Sequence, residues 1–205
     1  VDRSTRVELV VFHGPTPADV VQQIGDRLGR PSAPPSWAYG PWIGIQGGRD
    51  AVLGEADALE AAEVPVTALW AQDWVGTREF GAGNVGVQYR WIADEELYPD
   101  LAGMIDELHS RDIRFLGYAN PFVPTDLDHY MPMKEQGLLI GDPESDEPYL
   151  VGTPNGSASM PDLTNPEARA YVKGFLRDMV AEHGMDGWMA DFGEWLPHDA
   201  ELSDG

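Results

Sequence analysis

Short apolar runs alternate with amphipathic helical stretches along most of this chain, and the long or glycine-rich connections all follow the runs. Runs over residues 37–45, 66–71, 113–119 and 187–190 have the length and the β-branched and aromatic content of strands. Between them the spacing predicts helices over 50–63 and over 100–109, where Leu101, Ile105 and Leu108 share a face. A further helix starts at Asn165-Pro166-Glu167, with Pro at its first position, and carries Tyr171, Val172, Phe175, Leu176, Met179 and Val180. Strand alternating with helix implies parallel strands and right-handed crossovers. The excursions after Ile45, Ala71, Ala119 and Ala190 would then crowd one face of the molecule, as the functional loops of a (β/α)8 barrel do. A doubly wound open sheet fits the alternation too, but no GxGxxG or GxxxxGK[ST] follows any of the runs.

Four strands make half of a barrel that typically takes about 250 residues. The expected fold is therefore α/β, the first half of a (β/α)8 TIM barrel in about four units, and the chain is expected to be a piece of a longer protein. In front of it the sequence predicts a strand over 7–12 and a turn at His13-Gly14-Pro15-Thr16-Pro17. A helix over 18–28 follows, ended by Gly29-Arg30-Pro31, and residues 31–35 form a stiff proline linker. Residues 1–35 and 36–205 are the two expected parts.

Charge narrows the partners. Thirty-five acidic residues face thirteen basic ones, a formal net charge of −22 at pH 7, and Lys134 and Lys173 are the lysines. Such a surface repels phosphate backbones and anionic lipid, so neither nucleic acid nor a membrane is an expected partner. The acidic residues are dispersed, and screening of their repulsion is expected to suit the protein to concentrated salt. No apolar run approaches the roughly 20 residues of a membrane-spanning helix, and no leader pattern is visible at Val1-Asp2-Arg3-Ser4, which gives a cytoplasmic location as the expectation. With no cysteine, disulfides, thiolate catalysis and Cys-held metals are excluded.

The chemistry gathers at the strand ends: Ile45-Gln46-Gly47-Gly48, Trp70-Ala71-Gln72-Asp73-Trp74, Tyr118-Ala119-Asn120-Pro121-Phe122 and Met189-Ala190-Asp191-Phe192-Gly193-Glu194. Each offers an amide or a carboxylate beside aromatic rings. Rings stack on a sugar while Gln, Asn and Asp bind its hydroxyls, so the expected ligand is a small neutral carbohydrate. Along the last run Met189 and Asp191 share one face, and Trp188 and Ala190 the other. Asp191, at the strand end among Trp188, Phe192 and Trp195, is the expected nucleophile or general acid/base. Its alternative role is to cap a strand-to-helix turn.

Several of these motifs together resemble the catalytic domain of glycoside hydrolase family 31, and within it the sulfoquinovosidase branch. The resemblance lies in Gly44-Ile45-Gln46-Gly47-Gly48, Ala71-Gln72-Asp73-Trp74, Tyr118-Ala119-Asn120-Pro121, Asp162-Leu163-Thr164-Asn165-Pro166-Glu167-Ala168 and Gly187-Trp188-Met189-Ala190-Asp191-Phe192-Gly193-Glu194. It implies a retaining hydrolase of α-glycosides with Asp191 as nucleophile and no cofactor or metal. Gln46, Gln72, Asp73, Trp74, Asn120, Trp188 and Glu194 are the expected substrate-binding residues. It also implies that residues before about 35 close an N-terminal β-sandwich, and that the acid/base residue lies in the barrel's other half. The chain on its own is then expected to be inactive. Gln46 and Gln72 match glutamines that recognise a sulfonate in that branch. The branch's Arg-x-x-Trp pair is missing from Gly81-Ala82-Gly83-Asn84-Val85-Gly86-Val87-Gln88-Tyr89-Arg90-Trp91. Either Arg78 or Arg90 supplies the cation, or the substrate is a neutral α-glucoside-like sugar. A metal-dependent hydrolase would need His/Asp/Glu clusters at the strand ends, and none of the five histidines falls there. A non-catalytic sugar-binding relative would keep the same rings and amides.

Overall fold

Four parallel strands form the central sheet of the computed structural model, which describes residues 8–79, 83–153 and 155–204. In chain order the strands are β1 (Trp42–Gly44), β2 (Ala68–Trp70), β3 (Thr77–Glu79), β4 (Val85–Val87), β5 (Arg114–Ala119), β6 (Val123–Pro124), β7 (Val151–Thr153), β8 (Gly156–Ser159) and β9 (Gly187–Ala190). The helices are α1 (Pro17–Leu28), α2 (Arg49–Ala61), α3 (Leu101–Ser110), α4 (Tyr130–Glu135) and α5 (Pro166–Ala181). The central sheet runs β1-β2-β5-β9, all parallel, with α2, α3 and α5 as successive crossovers. β3 and β4 pair as an antiparallel hairpin, and β6, β8 and β7 form a small antiparallel sheet. Both lie within the excursions at the carboxyl ends of β2 and β5, where long connections were expected.

Register fixes which side chains share a face. Gly44 lies beside Trp70, Trp70 beside Leu116, Leu116 beside Gly187 and Tyr118 beside Met189. Because side chains alternate along a strand, Gly44, Trp70, Leu116, Tyr118 and Met189 line one face. Ile43, Leu69, Phe115, Gly117 and Trp188 line the other, which the helices cover. Leu69, Phe115, Val52, Met104, Ile105 and Leu108 are fully buried there. Each such aliphatic or aromatic side chain stabilises the fold by roughly 1.5–3 kcal/mol relative to exposure. Close approach sets two of the sheet's glycines. A Cβ on Gly44 would sit 2.8 Å from the Trp70 indole nitrogen, and one on Gly117 would sit 2.6 Å from the sulfur of Met185.

The helix ends follow from local chemistry. The Asn165 side chain accepts from the Glu167 N–H and Pro166 opens α5. Asp100, in the left-handed region at φ 51°, accepts from the Gly103 N–H at the start of α3. α2 has no side-chain cap; it starts from Gly48 at φ 89°, and the Arg49 N–H donates to the Leu97 carbonyl at 2.9 Å.

The chain divides into two compact units at Tyr39/Gly40. In the first, α1 is closed by a capping box in which Thr16 and Asp19 bond reciprocally, and none of its residues is buried. The strand expected over 7–12 does not form: residues 8–12 adopt no regular structure and Leu9 and Val11 stand open to solvent, while Val7 lies outside the described residues. A strand is held by its ladder, and no ladder includes these residues. The run expected as a strand from residue 37 begins instead with a 3-10 turn, Ser36–Tyr39, and only Trp42–Gly44 pairs. Among the described residues no helix is long and apolar enough to cross a membrane.

Candidate active site at the strand carboxyl ends

Asp191 follows directly on β9, and its N–H extends the ladder by donating to the Ala119 carbonyl at 3.0 Å. That bond keeps the alternation intact, so the carboxylate emerges on the face of Met189 and Tyr118. Tyr118 Oη donates to Asp191 Oδ2 at 3.0 Å, and the Phe192 N–H donates to Oδ1 at 3.0 Å. Phe192 takes φ 60°, an uncommon conformation for a non-glycine residue, and leads the chain from the strand end into the 3-10 turn Gly193–Trp195. The ring of Phe192 is held by Phe122 at 5.3 Å and Trp195 at 5.6 Å between centroids.

A cleft of about 330 Å³ opens beside the carboxylate, walled by Gln46, Gln72, Tyr89, Tyr118, Asn155 and Asp191, among others. Gln46 Nε2 donates to Gln72 Oε1 at 2.9 Å. The pair thereby fixes both amides and leaves Gln46 Oε1 and Gln72 Nε2, an acceptor and a donor side by side, for a ligand. Burial first, then the charge of Asp191, pushes the Tyr89 phenol up. Burial likewise pushes Tyr118 up, helped by its bond to Asp191 and opposed by a hydrogen bond from Asn120. Both phenols are therefore donors throughout the ordinary pH range.

The remaining expected residues divide sharply. Asp73 is 1% exposed, with Oδ2 accepting from the Gly47 N–H at 2.7 Å and Oδ1 from Tyr98 Oη at 2.5 Å. It braces the turn after β1 and is closed to a sugar. The cause is local: Gln72 adopts a helical backbone and residues Asp73–Val75 form a 3-10 turn, which carries Asp73 off the cleft face. Trp74, also 1% exposed, donates from Nε1 to the Tyr118 carbonyl at 2.9 Å and stacks on Phe175 at 6.2 Å, so it supports the wall from behind. Asn120 is buried and spends its carbonyl oxygen on the Phe122 N–H. Trp188 points to the helix-covered face, where it borders a second, apolar cavity of about 230 Å³ with Trp91, Phe175 and Leu176. Glu194 stands exposed on the 3-10 turn Gly193–Trp195 and is not on the cleft wall.

Neither candidate cation turns to the cleft. Arg78 pairs with Asp126 at 2.5 Å and donates to the Asn155 carbonyl, and Arg90 pairs with Asp94 at 2.8 Å. Tyr89, Tyr118 and Asn155 are wall residues that the motifs did not single out. Tyr118 was within reach of the sequence, being two residues before Asn120 on the same strand face. Tyr89 and Asn155 come from excursions whose paths no periodicity marks.

A parallel β/α sheet with one carboxylate, paired amides and phenols at its carboxyl edge has the layout of part of a β/α barrel, with a cleft of small-molecule size at the strand ends. Residues 31–203 match the TIM-barrel domain of the glycosyl hydrolases family 31. A sulfoquinovosidase of Escherichia coli is 37% identical over 91% of this chain and 27% of its own length. A GH31 sulfoquinovosidase from E. rectale, solved with an aza-sugar inhibitor, superposes with a TM-score of 0.82 at 36% identity, over 91% of this chain and 28% of that one. A cycloalternan-degrading enzyme from Trueperella pyogenes, solved with a covalent intermediate, gives 0.71 at 26% identity, over 93% and 29%. The chain belongs to glycosyl hydrolase family 31, and its likeness within it is to the sulfoquinovosidases. It spans about a quarter of the length of the relatives it matches.

Proposed function

We propose that the protein carrying this chain hydrolyses α-glycosides with retention of configuration, with Asp191 as the nucleophile. One oxygen of Asp191 attacks the anomeric carbon as the bond to the leaving oxygen breaks. A carboxylic acid, which retaining enzymes of this kind hold about 5–5.5 Å from the nucleophile, protonates that oxygen and then deprotonates the water that cleaves the glycosyl ester. No carboxyl group on the cleft wall described above fits that second role, so the proposal assigns it to a part of the barrel beyond these four strands. The observation that carries the reading is the position of Asp191: at a strand carboxyl end, on the same face as Gln46 and Gln72, with both oxygens held by hydrogen bonds.

The named relatives and the Gln46–Gln72 pair support an α-sulfoquinovoside as substrate. A second reading, a neutral α-glucoside-like sugar, is favoured by the ion pairs that occupy Arg78 and Arg90, since a sulfonate gains most from a charge-assisted guanidinium contact. The complete enzyme should be assayed on nitrophenyl α-sulfoquinovoside and nitrophenyl α-glucoside, with the first-formed product anomer followed by NMR. The proposal expects turnover of one of the two with the α-anomer appearing first. A β-anomer first, or sugar binding with no hydrolysis of either, would overturn it.

A further inference from the structure

The bond between Tyr118 and Asp191 runs one way: the phenol holds the proton and gives it to Asp191 Oδ2 at 3.0 Å. Trp74 fixes the strand beneath through the Tyr118 carbonyl.

We propose that Tyr118 is a positioning residue for Asp191: it sets the rotation of the carboxylate for attack. The inference rests on Asp191 being the nucleophile. A carboxylate with one oxygen tied to the Phe192 N–H could still swing about that bond; the phenol removes the swing and leaves the unbonded lone pairs facing the cleft. The groups facing the carboxylate are Tyr118 from β5, Tyr89 from the segment after β4, and the Phe192 N–H. Of the two phenols, only Tyr118 is within hydrogen-bonding distance.

The test is made in the complete enzyme with Tyr118→Phe, which removes one oxygen and little volume. Its kcat should fall about 10- to 100-fold, the size of losing a hydrogen bond to a charged group, with KM within about threefold. A loss that falls on kcat while KM and the unfolding midpoint hold is the signature of positioning, since a merely structural role would lower stability and change KM with it. A Tyr118→Phe enzyme with kcat within twofold of the parent, or with kcat and KM changed together, would overturn the proposal. If that variant does not fold, Tyr118→Met, which also lacks the donor, decides by the same split between kcat and KM. Asp191→Asn separates the two levels. If it keeps turnover, the nucleophile assignment falls; if it is inactive while Tyr118→Phe behaves as the parent, only the positioning role falls.

Discussion

At the scale of single residues, two aspartates at strand ends have opposite fates. Asp191 continues a ladder and inherits the strand's alternation, so its face follows from sequence parity alone. Asp73 comes after the ladder has ended and a 3-10 turn has begun, so parity no longer applies and the side chain turns inward to Gly47 and Tyr98. The same parity separates Trp188 from Asp191, although both belong to one motif. A buried carboxylate with two donors depends on each of them. Tyr98→Phe should leave Asp73 one partner short and lower unfolding stability by about 1–3 kcal/mol, read from chemical denaturation of the complete protein. A change below about 0.5 kcal/mol would mean that the bond adds nothing net.

Among the elements, the β/α alternation was legible because each parallel strand buries a helix-covered face and each helix has a matching apolar stripe. The hairpin β3–β4 and the sheet β6-β8-β7 were not, because their strands lie inside excursions, outside the strand–helix alternation that made the equally short β1, β2 and β9 legible. The turn between β1 and α2 shows how little sequence can fix an element's position. Gly48 combines φ 89° with an approach so close that a Cβ would lie 2.4 Å from the Leu97 carbonyl oxygen, a backbone atom that cannot swing aside. Gly48→Ala should therefore destabilise by more than the roughly 1 kcal/mol of an ordinary glycine substitution, and should loosen the Gln46–Gln72 pair just ahead of it. A melting temperature equal to the parent's would show that the turn can shift without cost.

For the whole molecule, charge is the dominant property. A net −22 spread over 205 residues stores self-repulsion that salt relieves, and at molar ionic strength the screening length falls to about 3 Å. The melting temperature of the complete protein should rise from dilute buffer to molar KCl; no rise would count against adaptation to salt. The same field bears on substrate choice, since an acidic surface does nothing to draw an anion toward the cleft. The alternation of strand and helix gave the barrel-type sheet, and the strand-end motifs gave the carboxylate at its edge. Of the phenols around that carboxylate, Tyr118 was within reach on its strand face, whereas Tyr89 became visible only when its excursion was folded over the cleft. The most direct test of the account is to trap the glycosyl-enzyme in the complete protein with a fluorinated glycosyl donor that glycosylates the nucleophile faster than the resulting ester hydrolyses. Digestion and mass spectrometry should find the sugar esterified to Asp191; a label on another carboxylate, with Asp191 unmodified, would contradict the account.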